Sequence, residues 1–112
     1  MSLRTANATL KRSAPIFAAL GDATRLHVVS RLSGGGPMSI NQLTEGANVT
    51  RQAVTKHLNV LADAGLVRDS WRGRERVWEL KTRQLEEARR VLDAISARWD
   101  EAIERLRVMV ES

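Results

Sequence analysis

Residues 50–67 read TRQAVTKHLNVLADAGLV, and the way this stretch divides into faces decides the fold. Thr50 offers the side-chain oxygen of a helix cap and Gly65 a left-handed stop, so the spacing predicts a helix from Arg51 to Ala64. At about 100° per residue, Val54, Leu58 and Leu61 fall together as a buried stripe. Gln52, Lys56 and Asn59 lie opposite, with Arg51 and Thr55 flanking them. Almost every residue of that outward half donates hydrogen bonds and several also accept. That chemistry suits base edges in a major groove, where arginine pairs with guanine and glutamine with adenine. Thr50 and the free N–H groups of the first turn suit a phosphate. An ordinary solvated face has a similar composition, so the neighbouring elements decide between the two.

Upstream, Ser39 followed by Gln42 is a capping-box pattern and predicts a short helix from Ile40 to about Glu45, with Gly46-Ala47-Asn48 as the turn. A short helix, a turn and a second helix make a helix-turn-helix. Farther back, Asp22 caps a helix running from Ala23 to about Leu32, with Leu26, Val29 and Leu32 on its apolar side. The run Gly34-Gly35-Gly36-Pro37 ends it. Ser13 caps a first helix, with Pro15 in its first turn and Gly21 stopping it after Leu20. Residues 1–12 are polar and basic and read as a loose arm. Downstream, 66–71 and 76–80 are β-prone runs joined by Arg72-Gly73-Arg74-Glu75, the signature of a hairpin. Arg72, Arg74 and Arg76 crowd its tip, suited to phosphates or the minor groove. Trp71 and Trp78 read as packing residues that fix this hairpin to the body.

Thr82 caps a last helix reaching about Val110. Leu85, Ala88, Leu92, Ile95, Trp99, Ala102, Leu106 and Met109 recur at alternating intervals of three and four, which keeps one seam facing a partner. A helix of about 28 residues spans roughly 42 Å, longer than a domain of this size is wide. Part of the seam is therefore expected to meet a second copy. The expected interface joins Leu92, Ile95, Trp99, Ala102, Leu106 and Met109 with Ile16, Phe17 and Leu20 of the first helix. The two helices beginning at Arg51 would then sit about one DNA turn, roughly 34 Å, apart and read a near-palindrome. The reading is mostly α with a small β-hairpin: an arm (1–12), a winged helix-turn-helix core (13–82) and a dimerisation helix (83–112).

Charge agrees with a polyanionic partner. The 112 residues carry 18 Lys/Arg and 13 Asp/Glu, a net +5. Residues 1–82 hold 12 basic and 6 acidic side chains, and residues 83–112 hold 6 and 7, so the excess sits on the body. A localised positive field of this kind attracts duplex DNA. There is no cysteine, no apolar run long enough for a membrane span and no leader pattern, so a cytoplasmic location is expected. No Ser-His-Asp or Cys-His set, phosphate-cradling loop or paired carboxylates are present, so no catalytic residues are assigned and an enzyme is not expected. The competing reading is a winged helix that binds proteins rather than DNA; Gln52 and Lys56 on the outward face and Arg74 on the hairpin argue against it.

Several segments together resemble one family. Leu20-Gly21-Asp22-Ala23-Thr24-Arg25-Leu26, Ser39-Ile40-Asn41-Gln42-Leu43, the stretch 50–61 and Ala64-Gly65-Leu66-Val67 are similar to the ArsR-type regulators, over about residues 14–110. The resemblance implies a dimeric repressor, usually of its own operon, released from DNA by an effector. By position it implies groove contacts for Arg51, Gln52, Thr55 and Lys56, and wing contacts for Arg72 and Arg74. His57 falls where the family often has histidine and is expected to pack or cap. The family's metal sensors carry a cysteine pair in the third helix or Asp/His/Glu sets in the last. Here only His27 and His57 exist, on different helices, so no metal and no cofactor are expected and the chain resembles a metal-free branch. The expected partners are double-stranded DNA, a second copy and an unidentified small-molecule or protein effector.

Overall fold

Helical and strand periodicities alternate along the chain as the computed structural model traces it; residues 3–112 are described, with side chains from residue 8 onward. Helix α1 spans Leu3–Leu20, α2 Ala23–Gly35, α3 Ile40–Thr44, α4 Arg51–Asp63 and α5 Thr82–Glu111. Strands β1 (Met38–Ser39), β2 (Val67–Arg72) and β3 (Glu75–Leu80) form one antiparallel sheet in the order β1-β3-β2. Helices α2, α3 and α4 pack against it, and α1 packs on α2, α4 and α5. Val54, Leu58 and Leu61 of α4 are sealed at the centre, against Leu32, Leu43 and Trp78 from three other elements. Each side chain of that size removed from water contributes about 1.5–3 kcal/mol, so α4 is the beam around which the body is built.

The caps behave as their residue types require. Arg25 N–H donates to Asp22 Oδ1 at 3.0 Å, and Ala53 N–H donates to Thr50 Oγ1 at 3.1 Å. The capping box of α3 is complete, with Gln42 N–H on Ser39 Oγ at 3.2 Å and Ser39 N–H on Gln42 Oε1 at 2.9 Å. Gly65 sits at φ +76°, and a side chain there would also come within 2.9 Å of Gln84. Glycine is thus required for the left-handed conformation, and any larger residue would also have to displace the Gln84 side chain. Strands β2 and β3 pair from Val67↔Leu80 to Arg72↔Glu75, leaving Gly73-Arg74 as a two-residue turn. Gly73 alone has positive φ there, at +65°, which fits a type II′ turn.

Several expectations are corrected. Helix α1 runs unbroken from Leu3, so Ser13 is not its cap, Pro15 lies inside it, and the stretch read as a loose arm is helical from Leu3 on. Met1 and Ser2 lie outside the described residues. Ser13, three residues before Ile16, is buried on the same face, while Lys11 and Pro15 are exposed. The carbonyl left without a donor by the proline therefore faces water, and the packing of Ile16 and Ala19 offsets a penalty of about 3 kcal/mol. Helix α2 continues through Gly34 and Gly35 and stops at Gly36, φ +72°. Its buried side is Val28 and Leu32; Leu26 is 51% exposed, because the neighbouring elements, not the helix's own pattern, choose the face. Strand β1 was not foreseen: two residues are too short for any periodicity. Thr82 is the first residue of α5 rather than its cap. No side chain caps that helix, and Lys81 N–H donates instead to Leu66 O at 2.9 Å.

Trp78 is 2% exposed and packs as expected, but Trp71 is 67% exposed and fixes nothing to the body. Ile16, expected at the interface between copies, is 3% exposed within its own chain's core and has no surface left to offer. In α5, Ala88 and Val91 seal against the body, while Leu92 and the large apolar side chains beyond it are exposed, in a molecule 66 Å long and 30 Å wide.

Candidate nucleic-acid interface

Helix α4 is held from both ends and from behind. In front of it, Arg31 of α2 reaches the end of α3, where its Nη1 donates to the carbonyls of Gln42 (2.8 Å), Leu43 (3.2 Å) and Glu45 (3.4 Å). These are helix C-terminal carbonyls with no intrahelical donors, and a guanidinium satisfies them while opposing the dipole. Behind it, half-buried His57 faces the α1–α2 corner. Arg25 Nη1 lies 3.3 Å from His57 Nδ1, and its Nε and Nη2 donate to the carbonyls of Ala19 and Ala18. A guanidinium only donates, so Nδ1 accepts and the ring proton sits on Nε2. Asp22 Oδ1 is 3.8 Å from the same nitrogen. The Arg25 backbone N–H, helped by the charge of the Arg25 guanidinium, holds the Asp22 carboxyl below its ordinary value. The Asp22-Ala23-Thr24-Arg25 signature is therefore a corner brace for α4. His57 packs and bonds as expected, and His27 is exposed.

The outward face of α4 is correspondingly free. Thr50, Arg51, Gln52, Thr55 and Lys56 line a shallow groove with Ile40 of α3, so the helix-turn-helix pair brings five of the expected contact residues together. Thr50, Arg51, Gln52, Lys56 and Asn59 are exposed. Thr55 is half-buried, and its hydroxyl donates to Arg51 O at 2.9 Å, which leaves its lone pairs outward. Among the described residues, no ion pair or side-chain hydrogen bond engages the charged groups of Arg51 and Lys56. Asp63, exposed on the same side two turns beyond Lys56, ends the cationic part of the face.

The wing divides its arginines into two kinds. Arg68 Nε donates to Glu79 Oε1 and Arg76 Nε to Asp69 Oδ2, both at 2.7 Å. The Arg76 guanidinium also lies over Trp78, 4.6 Å from the ring centroid. Arg76, expected to reach DNA, is thus tied into the sheet, where it stiffens the hairpin. Arg72 and Arg74 are exposed at the tip, and among the described residues they have no ionic partner. Which arginine a cross-strand carboxylate captures depends on register, and sequence spacing alone did not separate Arg74 from Arg76.

The second surface lies on α5. Leu92, Ile95, Trp99, Leu106 and Met109 are exposed, with Ala102 half-buried. Ile103 and Val110, exposed on the same side of the helix, broaden the seam beyond the heptad positions read from the sequence. Phe17 and Leu20 of α1 are half-buried beside the core. Among the described residues no three His, Cys, Asp or Glu side chains gather where a metal ion would sit, and no helix is long and apolar enough to cross a membrane.

Comparison with known proteins bears on the fold and family. A helix-turn-helix domain family matches residues 20–69. The HTH-type transcriptional regulator Rv2034 of Mycobacterium tuberculosis is 36% identical over 94 residues, 84% of each chain. The transcriptional repressor SdpR of Bacillus subtilis is 29% identical over 73 residues, 65% of this chain and 80% of that one. Among solved structures, an ArsR-like transcriptional regulator from Rhodococcus sp. RHA1 superposes with a TM-score of 0.74 at 34% identity, covering 91% of this chain and 95% of that one.

Proposed function

Because this chain belongs to the ArsR-type winged helix-turn-helix family of DNA-binding transcriptional regulators, which are not enzymes, we propose that it is a homodimeric repressor of a near-palindromic operator. The observation that carries this reading is the outward side of α4: Gln52, Lys56 and Asn59 stand free while Val54, Leu58 and Leu61 lock the opposite side. Arg51, Gln52 and Asn59 read base edges in the major groove, and Thr50, Thr55 and Lys56 secure the flanking phosphates. Arg72 and Arg74 follow the adjacent backbone or minor groove, and Arg76 shapes the wing that carries them.

The exposed seam of α5 supports the two-fold partner. Leu92, Ile95, Trp99, Ala102, Leu106 and Met109, widened by Ile103 and Val110, form an apolar strip that one chain leaves in water. Phe17 and Leu20 contribute from α1, while Ile16 works from within the core. Pairing along this strip brings two copies of α4 to one face of the duplex. Repression draws support from the name of SdpR. A DNA target implies action in the cytoplasm, and an effector that loosens the seam would release the operator.

The test is selection of bound sequences from a random DNA pool, followed by titration of the recovered duplex at two salt concentrations. The expected result is an inverted repeat with half-sites about one helical turn apart. Affinity should fall by about 0.9 log units per log unit of salt for each phosphate neutralised. Recovery of no preferred sequence would sink operator recognition. A reporter driven by the recovered site should rise when the gene is deleted; a fall would mark an activator.

A further inference from the structure

Trp71 is the one large aromatic side chain of the wing that nothing in the body covers, at 67% exposed. Alternation along β2 puts it on the same sheet face as Val67 and Asp69, and Val67 is buried against the helices. Trp71 therefore projects past the body's edge on the helix side of the sheet. Its cross-strand partner is Arg76, which Asp69 and the Trp78 ring hold in place. Next to it in sequence is Arg72 and beyond the turn Arg74, the two tip arginines without an ionic partner. The result is an indole backed by the Arg76–Asp69 pair on its own sheet face, close to a hairpin tip where Arg72, on the opposite face, and Arg74 have no ionic partner.

We infer that Trp71 is a direct DNA-contacting residue, its ring laid against the deoxyribose wall of the minor groove beside the Arg72 and Arg74 phosphate contacts. The occupant is argued from charge: a polyanion satisfies the arginines, and a duplex also offers an apolar sugar edge within reach of the same tip. The indole suits that border, with an apolar body and one N–H to give to a phosphate or base acceptor. A second copy meeting the molecule through α5 offers seven acidic side chains interspersed with six basic ones over 83–112, a far weaker anionic field than a duplex. This inference rests on the DNA-binding reading above and adds to it an apolar contact that the arginines do not provide.

The experiment uses the full-length protein and the operator duplex recovered by selection. Trp71→Ala is expected to weaken binding about tenfold, the effect of one well-buried aromatic contact, with the salt slope unchanged because no charge is removed. Trp71→Phe should keep most of the affinity. Thermal unfolding and the mass in light scattering should stay as in the wild type, since the side chain is exposed. With 5-fluorotryptophan incorporated, the Trp71 resonance, assigned through Trp71→Phe, should shift and lose its solvent isotope effect when the duplex is added. Unchanged affinity in Trp71→Ala, or a weaker variant whose wild-type fluorine signal ignores DNA, overturns the contact while leaving DNA binding intact. A halved mass in Trp71→Ala would assign the residue to a second copy and overturn it too. A wild-type protein that binds no duplex overturns both readings.

Discussion

Helices α4 and α5 each carry a long apolar stripe, but only one of them is finished within the chain. In α4 the stripe of Val54, Leu58 and Leu61 is sealed completely, and its polar side is left to solvent. In α5 the stripe is sealed only as far as Val91, after which Leu92, Ile95, Trp99 and Leu106 stand in water. The first helix is therefore positioned by its own chain and ready to act on something else. The second leaves most of its stripe uncovered, and its exposed ion pairs, such as Arg107 with Glu104 and Glu111, support the helix without covering that stripe. Similar periodicity in two segments thus signals two different tasks. What separates them is the amount of surrounding chain available to cover each.

The most severe way to break this comparison is to damage the finished helix. Leu58→Ala should cost about 2–5 kcal/mol of stability, read by urea unfolding, since the side chain is fully buried. A loss below about 1 kcal/mol would mean that α4 is not the central beam. The unfinished helix should respond differently. Trp99→Asp combined with Leu106→Asp should lower the mass in light scattering from twice 12.5 kDa to 12.5 kDa while the circular dichroism of the body persists. Operator affinity should drop steeply in this variant, because half-sites are then bound singly; a fully active monomer would refute the two-fold arrangement.

Finer substitutions sharpen the contrast within the proposed DNA surface. Gln52→Ala should cost about 1–3 kcal/mol on the selected site and little on random duplex; equal losses on both would show that another residue reads the base. Arg74→Ala should weaken all sequences alike and reduce the salt slope by about one, whereas Arg76→Ala should mainly loosen the wing. Smallest is the acid response of the corner brace. The Asp22 carboxyl titrates below its ordinary value of 3.8, so its stabilising effect is present above that pH and is lost as the pH falls through the lowered value. Asp22→Asn should flatten the acid limb of a pH–stability profile below pH 3.8, and an unchanged limb would show that the charge is idle.

Much of this architecture was legible because it rests on local chemistry. Ser39 with Gln42, Thr50, and Gly65 mark their helix ends through bonds that reach three residues or through one backbone conformation, and the structure has each of them. The hairpin was legible from two β-prone runs about a single glycine. What escaped depended on distant partners. Ser13 and Pro15 carry the marks of a helix start, yet tertiary packing of Ile16 and Ala19 carries α1 through them. Leu26 and Trp71 look like core residues by type, and only the placement of neighbouring elements exposes them. Arg76 looked like its neighbour Arg74 until strand pairing set it beside Asp69. Within the proposed contact surface, the helix face followed from periodicity, whereas the roles on the wing required the register.

One short junction governs how α4 and the wing can move relative to each other. Between the last turn of α4 and the first residue of β2 lie only Ala64, Gly65 and Leu66. Leu66 N–H is bonded to Leu61 O at 2.9 Å, Leu66 O takes the Lys81 N–H at the same distance, and Gln84 crowds Gly65. The span from reading helix to hairpin tip is thus a caliper with its screw tightened. On the proposed function, a duplex whose groove does not match that opening must bend or twist to be gripped. Base steps that no side chain touches will then help to rank one operator above another by their stiffness.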